Sequence, residues 1–232
     1  MRYVFLTGAN RGLGLEFARQ LLERGDWVFA TCRHPERAEA LRALQQRFPQ
    51  RLHVAALDVS DEQAIARAAT EVAAQTERLD VLINNAGVLY RDEHLGNLRQ
   101  SQLMHAFAVN AVGPLLLTQA LLPLLQKGQR PVVFNLSTQM GSLTRKTYGG
   151  YYSYSASKAA LNMFGRALAA DLRSDGVIVV LVHPGWVRTD MGGAQATLDP
   201  PTSVAGMLAL LERLKPEDSG RFLTWEGKEH PW

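Results

Sequence analysis

The sequence is poor in cysteine and has no long hydrophobic run. Its single cysteine, Cys32, excludes an internal disulfide framework and a cysteine-rich zinc site, and it is typical of a reducing compartment. The longest unbroken apolar run, Val177–Val182, is far shorter than the ~20 residues that a membrane span needs. The six histidines show no paired metal-ligand spacing. These absences predict a soluble cytoplasmic protein without a bound metal or a membrane partner.

A strong charge of one sign is also missing. The formal net charge is +3, and no run of basic residues is longer than two. Charges scattered in this way are typical of a solvated surface and argue against a nucleic-acid partner. Hydrophobic residues make up 47% of the chain and charged residues 20%, which is an ordinary globular composition and excludes wholesale disorder.

Short apolar runs alternate with longer amphipathic stretches along the whole chain. The candidate strands are Tyr3–Thr7, Trp27–Thr31, Leu52–Leu57, Val81–Asn84, Val132–Ser137, Val177–Val182 and Arg221–Trp225. The candidate helices are Leu13–Arg24, Pro35–Phe48, Glu62–Glu77, Gln100–Gln126, Ser153–Arg173 and Ser203–Leu214. The strands are apolar without strict alternation, which indicates burial on both faces. We therefore predict a single α/β domain over residues 1–232, a Rossmann-like doubly wound parallel sheet of about seven strands with helices on both faces.

A glycine-rich turn follows the first candidate strand. It reads Thr7-Gly8-Ala9-Asn10-Arg11-Gly12-Leu13-Gly14. Glycines permit a tight turn and a close approach of the backbone to a pyrophosphate. The helix that follows presents free N–H groups and the positive end of its dipole to such an anion. The turn is read as a dinucleotide-phosphate site, with a plain structural turn as the alternative.

The end of the second candidate strand lacks the acidic residue that would bind the ribose hydroxyls of NAD. Its sequence is Thr31-Cys32-Arg33-His34. Arg33 can meet a 2′-phosphate, and Arg11 in the glycine turn can meet it from the other side. Each arginine alone is also consistent with a solvent-exposed charge. The pair together with the missing acid favours NADPH/NADP+ as the cofactor.

Tyr154 and Lys158 stand at positions i and i+4 near the start of a candidate helix. This spacing places both side chains on one helical face. A nearby ammonium favours tyrosinate and lowers the pKa of the tyrosine. Such a tyrosine can donate a proton to a carbonyl oxygen as hydride reaches the carbon.

Together these motifs make the sequence similar to the short-chain dehydrogenase/reductase family over nearly its full length. The matching segments are Thr7–Gly14, Asp58–Val59, Asn84–Gly87, Asn110, Tyr154-x-x-x-Lys158 and Pro184–Thr189. Within the family the sequence most resembles the sniffer- and C-factor-like carbonyl reductases, through Ser157–Asn162, His183–Gly193 and the Pro231–Trp232 ending. The resemblance implies an NADP-dependent oxidoreductase that reduces a small-molecule carbonyl to an alcohol by hydride transfer.

The resemblance also implies roles for individual residues. Tyr154 would be the general acid, and Lys158 would lower its pKa and hold the nicotinamide ribose. The other implied cofactor contacts are Gly8, Asn10, Arg11, Gly12, Leu13 and Gly14 in the turn, Asp58 and Val59 near the adenine, Asn85, Ala86 and Gly87 beside the adenosine ribose, and Pro184, Gly185, Val187 and Thr189 at the nicotinamide amide.

Asn110 lies in a long candidate helix, four residues before Pro114. Proline has no N–H to bond the carbonyl at i−4, so the Asn110 carbonyl is left free. In the context of the resemblance, a water on that carbonyl would link Lys158 to solvent as a proton relay. An ordinary proline kink is the alternative.

One departure from the family pattern concerns the hydroxyl that polarises the substrate carbonyl. Relatives usually carry two serines after the fifth strand, whereas this chain has Ser137 and Thr138. We rank Thr138 first, Ser142 second and Ser137 third for this role. The departure keeps open an alternative function, an NADP(H)-binding signalling or regulatory protein with weak turnover. A member acting on another bond, such as an epimerase or enoyl reductase, is a further alternative.

The substrate and the assembly state are read from apolar residues. The loop between residues 137 and 152 and the segment after the sixth strand carry Met140, Leu143, Tyr148, Tyr151, Tyr152, Trp186 and Met191, a lining that favours a hydrophobic aldehyde, ketone or quinone. The helices Gln100–Gln126 and Ser153–Arg173 are apolar on more than one side. A helix that packs only on a sheet needs one apolar stripe, so we expect a homodimer or higher homo-oligomer.

Overall fold

The computed structural model describes all residues 1–232 and contains one seven-stranded sheet. The strands are β1 (Tyr3–Thr7), β2 (Trp27–Cys32), β3 (Leu52–Ala56), β4 (Val81–Asn84), β5 (Val132–Leu136), β6 (Ile178–His183) and β7 (Phe222–Thr224). Their spatial order is β3-β2-β1-β4-β5-β6-β7, and every neighbouring pair is parallel. The predicted doubly wound parallel sheet is confirmed, and its order reverses between β1 and β4.

Helices connect the strands and cover both faces of the sheet. They are α1 (Gly12–Glu23), α2 (Glu39–Arg47), α3 (Glu62–Gln75), α4 (Gln100–Phe107), α5 (Gly113–Leu125), α6 (Tyr152–Asp171) and α7 (Pro200–Arg213). Residues from α1, α2 and α7 share one apolar core with Val4 and Leu6, and residues from α3, α5 and α6 share another with Phe5. Alternate residues of β1 thus point into opposite cores, which explains why buried parallel strands lack a polar face.

Two predicted helices differ from the structure. Pro35–Phe48 divides into a short 3₁₀ turn at Pro35–Arg37 and α2, because Ala38 between them adopts a non-helical backbone. Gln100–Gln126 is interrupted by a π-helical turn at Ala108–Val112, which joins α4 to α5. Pro114 has no N–H to continue the α-helical ladder, and the Gly113 N–H donates five residues back to the Ala108 carbonyl.

The helical segment Gln100–Leu125 has the length and the mean hydropathy, 1.6, of a membrane span, and 56% of an 18-residue apolar stretch within it is buried inside the fold. Leu117 and Leu121 of this segment pack in the core beneath the sheet. A core helix of a globular domain meets the same criteria, so the segment is weak evidence for a span.

Candidate active site

A cavity of about 390 Å³ lies at the carboxyl ends of the central strands. Its walls come from residues at or just after the ends of β1 to β6, from the π-helical turn and from the first turns of α6. The strand order reverses between β1 and β4 above this cavity. In doubly wound sheets such a crevice is where ligands bind.

Most of the residues predicted to contact a cofactor line this cavity. They are Gly8, Asn10, Arg11, Gly12, Leu13, Gly14, Arg33, Asp58, Val59, Asn85, Ala86, Gly87, Tyr154, Lys158, Pro184 and Thr189. Gly185 and Val187 are not part of the lining. Val187 is buried and pairs with Leu198, and Gly185 packs against Leu198 and Trp225.

Sequence reasoning missed several residues of the lining. His34, Arg37, Leu57, Val88, Val109, Leu136 and Asp190 also line the cavity. Arg37 stands four residues after Arg33 in the turn that follows β2, so a third basic residue near the expected phosphate was a usable signal. Asp190 directly follows Thr189, the last residue of the segment that matches the family, so it too could have been predicted to line the cavity.

The glycine turn is shaped by backbone contacts that side chains would block. Gly8 and Gly12 have positive φ angles of 67° and 54°. A Cβ on Gly14 would lie 2.1 Å from the Gly8 carbonyl oxygen, so only glycine fits there. The Asn85 side-chain Nδ2 donates to the carbonyls of Thr7, at 2.9 Å, and Gly8, at 3.1 Å. Asn85 therefore holds the turn in addition to lining the cavity.

Basic side chains form the rim at one end of the cavity. The Arg11 guanidinium donates to the Asp190 carboxylate at 2.9 Å, and both side chains are largely exposed. The structure thus turns Arg11, predicted to meet a 2′-phosphate, toward a carboxylate on the opposite wall. Burial tends to raise the pKa of Asp58, but hydrogen bonds from Ser60 and the charge of Arg33 hold it below its ordinary value.

Tyr154 and Lys158 lie at the other end of the cavity, one turn apart on α6. Their exposed fractions are 9% and 4%. Burial raises the pKa of Tyr154 to about 12, while a side-chain hydrogen bond with Thr138 lowers it. Burial lowers the pKa of Lys158 to about 8, and its Nζ donates to the Leu136 carbonyl at 2.7 Å. Burial is the largest cause of the Tyr154 shift and Lys158 is not among its causes, so the predicted lowering of the Tyr154 pKa by Lys158 is not seen.

The three candidate hydroxyls have different partners. Thr138 faces Tyr154, and its oxygen also accepts from the Met140 N–H at 3.2 Å. Ser137 donates to the Asn162 side chain at 2.6 Å. Ser142 accepts from the Arg145 N–H at 3.2 Å. Thr138, the first-ranked candidate, lies beside Tyr154, whereas Ser137 is the one of the three that lines the cavity.

Asn110 is fully buried in the π-helical turn and connects three segments. Its Oδ1 accepts from the Val88 N–H at 2.8 Å, and its Nδ2 donates to the Val88 carbonyl at 2.9 Å and to Ser157 Oγ at 3.0 Å. The side chain therefore ties the segment after β4 to α6. The relay water on the backbone carbonyl stays a prediction.

Four of the apolar side chains predicted to favour a hydrophobic substrate are exposed. Leu143, Tyr148, Trp186 and Met191 are all exposed, although Met191 alone among them lines the cavity. Trp186 is held by a hydrogen bond from its Nε1 to the Gly192 carbonyl at 2.8 Å. Of the four, only Met191 is placed to meet a ligand in the cavity.

Comparison with known proteins identifies the family. The short chain dehydrogenase family model matches residues 2–198. The C-signal protein of Myxococcus xanthus is 50% identical over 157 residues, which cover 68% of this chain and 95% of that relative. The structure of an NADPH-bound carbonyl reductase from chicken fatty liver has a TM-score of 0.95 and 40% identity, with 100% of this chain and 99% of that chain covered. The carbonyl reductase Sniffer of D. melanogaster has a TM-score of 0.96 and 33% identity, with both chains fully covered. This chain belongs to the short chain dehydrogenase family.

Proposed function

We propose that this protein is an NADPH-dependent carbonyl reductase that converts a hydrophobic aldehyde, ketone or quinone to an alcohol. The observation that carries the proposal is that Tyr154, with Thr138 beside it, and Lys158 line the buried end of a cavity that Arg11, Arg33 and Arg37 also line. The two solved relatives are carbonyl reductases, and one of them holds NADPH. Residues 1–232 would act as one dinucleotide-binding domain.

The cavity fits the proposed cofactor along its length. The glycine turn would present backbone N–H groups to a pyrophosphate, and its glycines have no side chains that would keep the phosphates away. Arg33 and Arg11 would meet the 2′-phosphate, for which a guanidinium fork is well suited. Asp58 would lie near the adenine, and Lys158 would hold the nicotinamide ribose.

At the buried end, two hydroxyls would act on the substrate oxygen. NADPH, when bound, supplies the hydride that adds to the carbonyl carbon. Tyr154 donates its proton to the oxygen, and Thr138 donates a hydrogen bond to the same atom. Because burial raises the pKa of Tyr154 to about 12, its proton is in place at neutral pH. The Lys158 ammonium one turn away stabilises the tyrosinate that remains.

Reprotonation of Tyr154 would use the route through Lys158. The Asn110 carbonyl, which Pro114 cannot bond, would hold a water that passes a proton from solvent to Lys158. The hydrogen bonds between the Asn110 side chain and Val88 and Ser157 fix the turn that presents this carbonyl.

A panel of aromatic aldehydes, aliphatic ketones and quinones, followed by NADPH absorbance, tests the proposal. We expect turnover on the apolar members of the panel. Tyr154→Phe should lower kcat by ~10²-fold or more, the scale of general acid catalysis, while NADPH binding stays within about twofold. Turnover that persists at the wild-type rate in Tyr154→Phe would contradict the mechanism.

A second candidate function rests on the similarity to the C-signal protein. In that case the chain would bind NADP(H) as a signalling or regulatory protein and turn over weakly. The same panel separates the two functions: NADPH binding by the wild type without measurable turnover of any carbonyl favours signalling.

The assembly and location are proposed on separate grounds. Met104 on α4, Val112 in the π-helical turn and Met163 on α6 are exposed apolar residues, which favours a homodimer or higher homo-oligomer built on this helical face. Light scattering that gives a mass near 25.6 kDa at micromolar concentration would contradict it.

A cytoplasmic location is proposed from the single free cysteine, Cys32.

A further inference from the structure

Glu93 is a buried carboxylate outside the catalytic set. It lies in the loop between β4 and α4 and is 6% exposed. No side-chain nitrogen of a lysine, arginine or histidine lies within 4.0 Å of its carboxylate oxygens. Its Oε2 accepts a hydrogen bond from the Ser153 N–H at 2.8 Å. A carboxylate is not buried without a compensating partner, and here that partner is the first turn of α6.

The start of α6 needs such a partner. Tyr151, which precedes the helix, has a left-handed backbone with φ of 52° and provides no side-chain cap. The first N–H groups of a helix have no acceptor within the helix, and its N-terminus carries partial positive charge. Glu93, 60 residues earlier in the chain, satisfies the N–H of Ser153 and complements this charge. Ser153 directly precedes Tyr154.

The same loop also holds the opposite wall of the cavity. Arg91, two residues before Glu93, donates from Nη2 to the carbonyls of Asp190, at 3.0 Å, and Met191, at 2.8 Å. Met191 lines the cavity, as Tyr154 does. Arg91 and Glu93, which together we name the 91/93 tether, thus bond to the catalytic helix through one side chain and to the segment after β6 through the other.

We propose that Glu93 is a positioning residue, which places Tyr154 against the carbonyl substrate by capping α6, while Arg91 fixes the facing wall at Met191. This inference rests on the proposed carbonyl reductase function. Glu93 acts through Ser153 and the backbone of α6 and does not touch the reacting atoms. A displacement of the tether would move the proton donor and the opposite wall relative to each other.

Steady-state kinetics on para-nitrobenzaldehyde with NADPH test the proposal in three variants. Glu93→Ala removes the acceptor and should lower kcat by at least ~10-fold, because small errors in orientation are costly at the chemical step, with the NADPH Kd unchanged. Glu93→Gln keeps an oxygen acceptor for the Ser153 N–H and should stay within about threefold of wild type. Asp92→Ala is the matched control, since Asp92 is exposed between the two tether residues, and it should match wild type.

Arg91→Met keeps the chain length but removes the donors to Asp190 and Met191. We expect it to raise the KM for the aldehyde by roughly 3- to 10-fold with a smaller change in kcat, because it loosens a wall that binds the substrate. A kcat for Glu93→Ala within twofold of wild type, or an equal loss in Glu93→Gln, would overturn the positioning role.

Amide hydrogen exchange provides a readout that does not depend on turnover. The Ser153 amide should exchange at least ~10-fold faster in Glu93→Ala than in Asp92→Ala, because its local opening becomes easier. If wild type reduces no carbonyl of the panel, the proposed function fails, yet the exchange result still decides whether Glu93 caps α6. Unchanged exchange at Ser153 would overturn the cap itself, whatever the turnover.

Discussion

The two ends of the cavity are built differently. At the catalytic end, Tyr154, Lys158 and Asn110 are buried, and Lys158 and Asn110 hydrogen-bond to backbone carbonyls. At the basic rim, the Arg11 side chain is 70% exposed and pairs with Asp190, whose side chain is 76% exposed. The Arg37 guanidinium pairs only with the exposed carboxylate of Glu36, at 3.7 Å. One end is fixed by burial, and the other is held by charges that solvent screens.

This difference decides how each end responds to change. A buried group that loses its partner retains the full desolvation penalty, so substitutions there have large effects. An exposed ion pair contributes little by itself, and its arginine is free to exchange one anion for another. We therefore expect the catalytic end to set the chemistry and the rim to set which cofactor is held.

The largest expected effect is a reversal of the preference for NADPH over NADH, produced by two substitutions at the rim. Hydrogen bonds to a charged group contribute roughly 1.5–3 kcal/mol each, so after allowing for exposure we expect NADPH to bind ~30- to 10³-fold tighter than NADH. Cys32→Asp with Arg33→Val places a carboxylate where Cys32 now lines the cavity. That carboxylate accepts from a ribose hydroxyl and repels the phosphate, so the preference should invert.

Fluorescence titration of both cofactors measures the two Kd values in wild type and in the double variant. Arg11→Ala is the companion variant and should weaken NADPH while leaving NADH nearly unchanged. Equal affinity of the wild type for NADH and NADPH would contradict a phosphate contact by these arginines.

The second prediction sharpens the description of the buried end. Thr138→Val removes the hydroxyl but keeps the shape of the side chain, and it should lower kcat by ~10²- to 10³-fold, as the loss of one oxyanion donor does. Thr138→Ser restores the donor and should recover most of the rate. Ser142→Ala is the matched control, because Ser142 accepts from the Arg145 N–H, and Thr138, not Ser142, is the side-chain hydrogen-bond partner of Tyr154. A larger loss in Ser142→Ala than in Thr138→Val would reverse the ranking of the two hydroxyls.

The same contrast separates what the sequence predicts well from what it predicts poorly. Buried parallel strands are apolar runs in the sequence, so the sequence predicts their bounds to within a residue or two. The motif residues follow the ends of these strands. The break at Ala38 and the π-helical turn at Ala108–Val112 have only weak local signals. The Arg11–Asp190 pair and the Glu93–Ser153 bond join residues 179 and 60 positions apart. Such contacts depend on tertiary packing, which no local pattern in the chain encodes.

The third prediction concerns the pH dependence of stability at the buried end. Burial lowers the pKa of Lys158 from 10.5 to about 8. Between these values the unfolded chain binds a proton that the folded chain does not, so the free energy of unfolding rises with pH in this window. The gap corresponds to about 3 kcal/mol. Above about pH 10 the raised pKa of Tyr154 acts in the opposite direction, which limits the useful range.

Urea denaturation of wild type and Lys158→Met between about pH 7.5 and pH 10 isolates this contribution. Between these two pH values the wild-type stability should rise by about 2 kcal/mol relative to the variant, since part of the titration lies outside the range. Parallel stability curves for the two proteins would show that Lys158 titrates normally in the fold, and the contrast in burial between the two ends would then lose its energetic consequence.

The smallest expected effect tests whether the rim exchanges partners. The backbone that carries the Asp190 carboxylate is tied by two hydrogen bonds. Arg91 donates to the Asp190 carbonyl, and the neighbouring Thr189 hydroxyl accepts from the Gly192 N–H. The Arg11 side chain must leave this carboxylate to bind a 2′-phosphate. Since an exposed pair is worth little, Asp190→Asn should lower the NADPH Kd by only roughly 2- to 5-fold and leave the NADH Kd unchanged. The gain should shrink as salt rises.

In an Arg11→Ala background Asp190→Asn should have no selective effect, which is the double-mutant test of the pair. If Asp190→Asn strengthens both cofactors equally, Asp190 repels the shared pyrophosphate, and Arg11 does not choose between the carboxylate and the 2′-phosphate.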